Sequence, residues 1–355
     1  MGEQKETLDN IEILSGIDRS GMIELVDKLP DMMEEGWAAS ETAAVQNPGK
    51  ISNLVISGMG GSAISGDIVS LALRGKADFP AFVNRNYGCP KFVSAGTLFL
   101  AVSYSGNTEE TLSAFKEAVR AGAKIICISS GGELKELSKK NKVPLIEIPK
   151  GLPPRAALGY ILSAILGALN KAGAGAFKTD LNETIRSLKR LARKYGASCA
   201  LRENEAKQMA KRLYGKVPVI LASDGTSYAA GLRWKTQMSE NSKIASMLSI
   251  FPEMDHNDLV NFSFLKKGEH NYSFVLLRDE ADPERMKKRI EVTKSLISGN
   301  TGGITEIWSQ GRSSLERTMS LILYGDYLSI YLAVLSGIDP TPVDIIEKLK
   351  KELLR

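Results

Sequence analysis

Cysteine is scarce in this chain. Three occur in 355 residues, at Cys89, Cys127 and Cys199, and they stand far apart. An odd, scattered set excludes a disulfide framework, so a reduced, cytoplasmic setting is expected. Histidine is scarcer still, at His256 and His270 alone. With no cluster of His, Cys and carboxylates at ligand spacing, neither a metal nor another cofactor is expected. Charge of one sign is also lacking, since the formal net charge is only +5. No run of Lys and Arg is interleaved with aromatics, which speaks against nucleic acid. The mild positive balance suits an anionic small substrate. Long apolar runs are few. "ALGYILSAILGAL" is too short to span a bilayer, and Asp326 interrupts "LILYGDYLSIYLAVLSGI", which reads as a buried core helix. The polar start "MGEQKETLDN" carries no secretory signal, and no membrane partner is expected.

What is present is core-forming material in a repeating order. Hydrophobic residues make up 43% and charged residues 25%, enough for a packed core. The length suggests about two domains of roughly 150 residues. After a helix over 18–40, strands and helices alternate: "NLVISG", "GSAISGDIVSLALRG", "PAFVNRN", "TLFLAVS", "TEETLSAFKEAVRAG", "KIICISS", "GELKELSKKN" and "PLIEIP". A long helix is expected over 153–172 and a charged helical stretch over 181–213. A second series then repeats the order: "VPVILAS", "GTSYAAGLRWKTQMSEN", "KIASMLS", "NYSFVLLRD", "PERMKKRIEVTKSLIS", "GITEIWS" and a long apolar helix. Such alternation predicts an α/β fold with two similar, doubly wound parallel-sheet lobes and a C-terminal helix. The expected divisions are an N-terminal helical segment 1–40, a first lobe 41–175, a helical connection 176–212, a second lobe 213–338 and a C-terminal helix 339–355.

The chemistry concentrates in two turns of the first lobe, "SGMGGSAISGD" at 57–67 and "SYSGNTEET" at 103–111. Each lies between a predicted strand and a predicted helix. Helix N-termini offer unpaired N–H groups and positive dipole ends, glycine admits close approach, and hydroxyls add donors. Strand ends of this kind share one edge of an open sheet. The two turns therefore predict a phosphate cradle built from Gly61, Ser62, Ser103, Ser105 and Thr108. The plainer role for Ser105 and Thr108 is helix capping. The corresponding turn of the second lobe, "LLRDEADPERM", has lost the hydroxyls, so one anion site per chain is expected. "GMGGSA" also fits G-x-G-x-x-A, a dinucleotide fingerprint. The next strand lacks the usual acidic end and finishes at Asn84 and Arg85, where Arg85 suits a 2′-phosphate. No Gly-Lys-Ser or Gly-Lys-Thr follows the glycines, which excludes a kinase-type phosphate loop.

Six motifs in order, "GMGGSAISGD", "SYSGNTEET", "GLPPRAALGY", "RWKTQMSEN", "PEMDHND" and "DPTPVDIIEKLK", carry a resemblance over almost the whole chain. It is to the SIS-domain sugar isomerases, and within them to the bifunctional phosphoglucose/phosphomannose isomerases of archaea and some bacteria. The resemblance implies a metal-independent dimer that interconverts glucose 6-phosphate or mannose 6-phosphate with fructose 6-phosphate through a cis-enediol. It implies that Glu240 is the base and that Arg155 holds the developing enediolate oxygen. It implies that His256 reaches the partner subunit's site and opens the sugar ring with Lys348. Acidic neighbours in "PEMDHND" are expected to fix the tautomer of His256. Thr341 stands where strict phosphoglucose isomerases carry a bulkier Gln, and is expected to leave room for both sugars. If the last helix starts at Thr341, Thr341 caps it and Lys348 lies two turns further along the same side. The plainer alternatives are a solvated Glu240, a surface Arg155, a loop His256 and a solvated Lys348. His270 matches no motif and is expected at the surface. The alternative function is a SIS sugar-phosphate sensor that binds without catalysis. Such proteins pair one SIS lobe with a helix-turn-helix, and the first 40 residues are too few and too acidic for one. An amidotransferase isomerase lobe would need an N-terminal glutaminase domain, which is not expected for this sequence.

Overall fold

The computed structural model describes residues 7–265, 271–301 and 303–353. His270 lies outside them. The chain forms two compact units, one made of Lys28–Lys189 and Gly311–Glu316, the other of Met1–Asp27, Arg190–Gln310 and Arg317–Arg355.

In the first unit, β1 (Asn53–Ser57), β2 (Ala81–Asn84), β3 (Thr97–Val102), β4 (Lys124–Ser129) and β5 (Leu145–Glu147) form one parallel sheet in the order β2-β1-β3-β4-β5. β3 is central and buried along its whole length, as a strand covered on both faces must be. Val55, Phe99, Phe115, Ile125 and Leu134 pack on one side of it. A fully buried side chain of this size contributes about 1.5–3 kcal/mol.

In the second unit, β6 (Val217–Ser223), β7 (Met247–Phe251), β8 (Tyr272–Arg278) and β9 (Ile304–Trp308) form a parallel sheet in the order β7-β6-β8-β9. This is the order β2-β1-β3-β4 over again, so the duplication expected from the sequence is present. The apolar helix Ser314–Leu335 is 94% buried in its most hydrophobic window. Asp326, which interrupts it, is paired with Arg233 inside the unit. Burial and pairing account for the apolar run without a bilayer.

Several element limits differ from expectation. Residues 18–40 form two helices, Met22–Asp27 and Leu29–Thr42. Pro30 sits in the first turn of the second, where its missing N–H costs nothing. The stretch 153–172 opens with a 3₁₀ turn, Pro154–Ala157, before the helix Leu158–Lys171. The stretch 181–213 is two helices, Lys178–Tyr195 and Glu205–Leu213, the second capped by Asn204. β7 starts at Met247, not at Lys243, because Lys243 is left-handed at φ +57 and cannot begin a strand. The C-terminal helix runs Asp344–Leu353. Thr341 therefore lies ahead of it and does not cap it, and the two-turn spacing to Lys348 does not apply.

Candidate active site

Three turns meet at the carboxyl edge of the five-stranded sheet. The first leads from β1 into the helix Gly60–Leu73, which no side chain caps. A Cβ on Gly61 would lie 3.1 Å from the Pro154 carbonyl oxygen and 3.6 Å from Arg155 Cα. The glycine turn thus runs against the backbone of the Pro154–Arg155 turn, and Ser62 beside it is buried.

The second turn is Ser103–Thr108. Ser103 Oγ lies 2.9 Å from Thr108 Oγ1 and accepts the Gly106 N–H at 3.1 Å. Thr108 occupies the cap position of the helix Glu109–Arg120, yet its hydroxyl makes no capping bond. Ser105 is exposed, and its Oγ accepts the Asn107 N–H at 3.2 Å. Gly106 is left-handed at φ +73, and a Cβ there would fall 1.8 Å from the Gly131 carbonyl oxygen, so only glycine fits. The hydroxyls are held by one another and by the turn, not by the helix they precede.

The third turn carries Arg155, which is only 4% exposed. Tyr104 Oη accepts the Leu152 N–H at 3.0 Å, so the serine turn and the Pro-Pro turn are joined. Two helix N-termini, a buried guanidinium and several hydroxyls give this edge a donor-rich character suited to a phosphate, although Glu109 and Glu110 lie in the first turn of the second helix. Gly61, Ser62, Ser103, Ser105, Thr108 and Arg155 are all brought to it. Arg85 is not available there as a 2′-phosphate ligand, because its guanidinium is bonded to the Asp67 carboxylate. Burial pushes the Asp67 pKa up, and the Arg85 charge opposes the rise.

In the other unit, Glu240 lies half-buried in a π turn, Met238–Ser242, that continues the helix Thr226–Gln237. Such turns often mark functional positions. One flank is fixed where Asn241 Nδ2 donates to Ser329 Oγ at 2.9 Å and Ser242 Oγ donates to the Ser329 carbonyl at 2.6 Å. On the other flank, Lys243 Nζ donates to the carbonyl oxygens of Glu240 and, at 3.0 Å, of Pro340. Glu240 and Thr341, far apart in number, are thereby tied into one neighbourhood. Thr341 is half-buried between two prolines, and its N–H donates to Asp339 Oδ1 at 3.0 Å.

His256 closes a 3₁₀ turn, Glu253–His256, just past β7, and is exposed. Its acidic neighbours do not serve it as expected. Asp255 accepts from Arg289 Nη1 and Thr293 Oγ1, each at 2.9 Å, and Glu253 accepts from Asn257. A carboxylate between a guanidinium and a hydroxyl has a stronger partner than a neutral imidazole. Lys348 stands exposed on the last helix, none of whose residues is buried.

Two family models match the chain. The SIS domain covers residues 50–145, and the bacterial phospho-glucose isomerase C-terminal SIS domain covers 202–353. A bifunctional phosphoglucose/phosphomannose isomerase of Caldicellulosiruptor bescii is 40% identical over 94% of this chain and 98% of its own length. The chain belongs to the bifunctional phosphoglucose/phosphomannose isomerase family. A member from Aquifex aeolicus is 38% identical over 84% of this chain and 90% of its own. Among solved structures, a hypothetical protein of Thermus thermophilus superposes with TM-score 0.76 at 17% identity, covering 99% of this chain and 95% of that one. That likeness bears on the fold alone. Sequence reasoning within the family motifs passes over Tyr104 and Lys243. Both stand inside or beside quoted motifs, but a tyrosine between serines and a lysine after "SEN" carry no signal of the backbone groups they hold.

Proposed function

We propose that this chain is an aldose–ketose isomerase acting on glucose 6-phosphate, mannose 6-phosphate and fructose 6-phosphate, as a homodimer in the cytoplasm. The observation that carries the reading is the serine turn: Ser103 and Thr108 face each other beside an uncapped helix start, with Arg155 buried at the same edge. In this reading Gly61, Ser62, Ser103, Ser105 and Thr108 hold the phosphate. Glu240 removes the C2 proton of the open-chain aldose as a carboxylate and returns it to C1 as the acid, so nothing is oxidised overall. Arg155 holds the enediolate oxygen while it is negative. His256, donated to the partner subunit's site, and Lys348 move the protons that open the ring. The exposure of both side chains leaves them available for such reach. The absence of hydroxyls from the second lobe's turn supports one phosphate per chain.

The deciding experiment is a coupled assay on glucose 6-phosphate and mannose 6-phosphate with EDTA present. Turnover of both sugars supports the reading. Tight sugar-phosphate binding without turnover would return the chain to the sensor class.

A further inference from the structure

Lys243 is one of two non-glycine residues with positive φ among those described, at +57. The left-handed conformation costs an L-residue roughly 1–2 kcal/mol relative to the right-handed one. Such a cost persists where surrounding contacts over-determine the backbone. Here the contacts are plain. The Lys243 N–H closes the π turn onto the Met238 carbonyl. Its ammonium then spans two carbonyl oxygens, those of Glu240 and Pro340, which belong to separate segments of the unit. The Ser329 contacts fix Asn241 and Ser242, and Lys243 adds a tie between the Glu240 backbone and the Pro340 segment. Pro340 is the residue before Thr341, and a shift of its carbonyl moves Thr341 with it.

We infer that Lys243 is a positioning residue that sets Glu240 against Thr341, and so couples the proton-transfer step to the choice between sugars. This rests on reading Glu240 as the base and Thr341 as the residue that leaves room at C2 and C3. The ammonium takes no proton in the reaction. It fixes two backbone carbonyls, and through them two side chains.

Lys243→Gly separates the tie from the turn, because glycine adopts φ +57 without strain. The substitution should leave Tm near the native value. It should lower kcat on both sugars on the order of 10-fold, in line with the sensitivity of proton transfer to small displacements, and change KM less. The ratio of kcat/KM for mannose 6-phosphate to that for glucose 6-phosphate should shift. Lys243→Arg, which keeps cationic donors, should recover part of the loss. Exchange of the Asp339, Thr341 and Val343 amides should quicken in Lys243→Gly, whatever the activity. Native kcat and an unchanged sugar ratio in Lys243→Gly overturn the inference, as does activity lost only in step with folded protein. If Glu240→Gln stays active, the base assignment fails, and amide exchange alone still decides whether the tie exists.

Discussion

Arg233 and Asp326 form a two-pronged ion pair, Nε to Oδ1 at 2.8 Å and Nη2 to Oδ2 at 2.8 Å, with each side chain 3% exposed. Gln237 Nε2 adds a third bond to Asp326 Oδ1 at 3.2 Å. The pair locks the helix that runs into Glu240 against the long apolar helix. Removing one partner strands a buried charge, which costs about 3–5 kcal/mol. Asp326→Ala should therefore lower the urea midpoint sharply. Arg233→Met combined with Asp326→Leu should lose much less, since no charge is left unpaired. Equal losses in the single and double variants would mean that the pair matters only by its volume.

Ser105 and Thr108 should act on substrate affinity. Changing both to Ala removes two hydroxyls from the turn while Gly106 and the Ser103 bond to its N–H remain. KM for the sugar phosphates should rise by about 10²-fold or more, at about 1.5–3 kcal/mol for each hydrogen bond to a charged group, with kcat changed less. Tm should fall only modestly, since the change removes the Ser103–Thr108 and Ser105–Asn107 bonds of the turn but no helix-capping bond. A clear fall in Tm with KM unchanged would make the turn structural only.

Glu240→Gln keeps shape and loses the base. Its kcat should fall by about 10²-fold or more, while binding of a sugar phosphate, read by calorimetry, persists. Native turnover in this variant would remove Glu240 from the mechanism.

The architecture is legible in the sequence because period and alternation are dictated by burial: β3 reads as "TLFLAV" and is buried throughout. The duplication is legible for the same reason. The limits that shift lie where backbone conformation departs from what side chains advertise. Lys243 gives no sign of its left-handed φ, so β7 reads too early. Pro342 looks like a helix-opening proline, but the helix waits until Asp344. Asp255 looks like a partner for His256 because it is adjacent in sequence. Its true partners, Arg289 and Thr293, come from a helix well downstream, and nothing local foretells them.

Asp282 occupies the second lobe's counterpart of the serine turn. It is 8% exposed, and its Oδ1 accepts from Ser223 Oγ at 2.9 Å. Burial pushes its pKa above the ordinary 3.8; the Ser223 bond opposes the rise and the Asp279 charge adds to it. The native state then holds this proton more tightly than the unfolded chain. Stability is fully kept below the unfolded-state value and declines as pH rises through the raised one. Asp282→Asn keeps an acceptor for Ser223 and cannot ionise. It should raise the urea midpoint at pH 7, and the gain should shrink as pH is lowered toward about 4. A gain that does not change with pH would trace the effect to packing instead.

Thr341 bears on the breadth of substrate. Glucose and mannose phosphates differ only at C2, so one base serves both if the bond between C2 and C3 can rotate in the site. Rotation needs room. The sequence leaves Thr341 a second role as helix cap, but the helix begins at Asp344, and that role falls away. Its backbone is set by Pro340 and Pro342 on either side and by its N–H bond to Asp339. A larger side chain at this position therefore has little backbone freedom with which to withdraw. Thr341→Gln should cut kcat/KM on mannose 6-phosphate much more than on glucose 6-phosphate, and Thr341→Ser should leave the ratio close to native. Measuring both sugars with each variant decides the matter. If Thr341→Gln lowers both activities equally, the side chain supports catalysis without choosing between sugars, and the room for rotation must come from other residues.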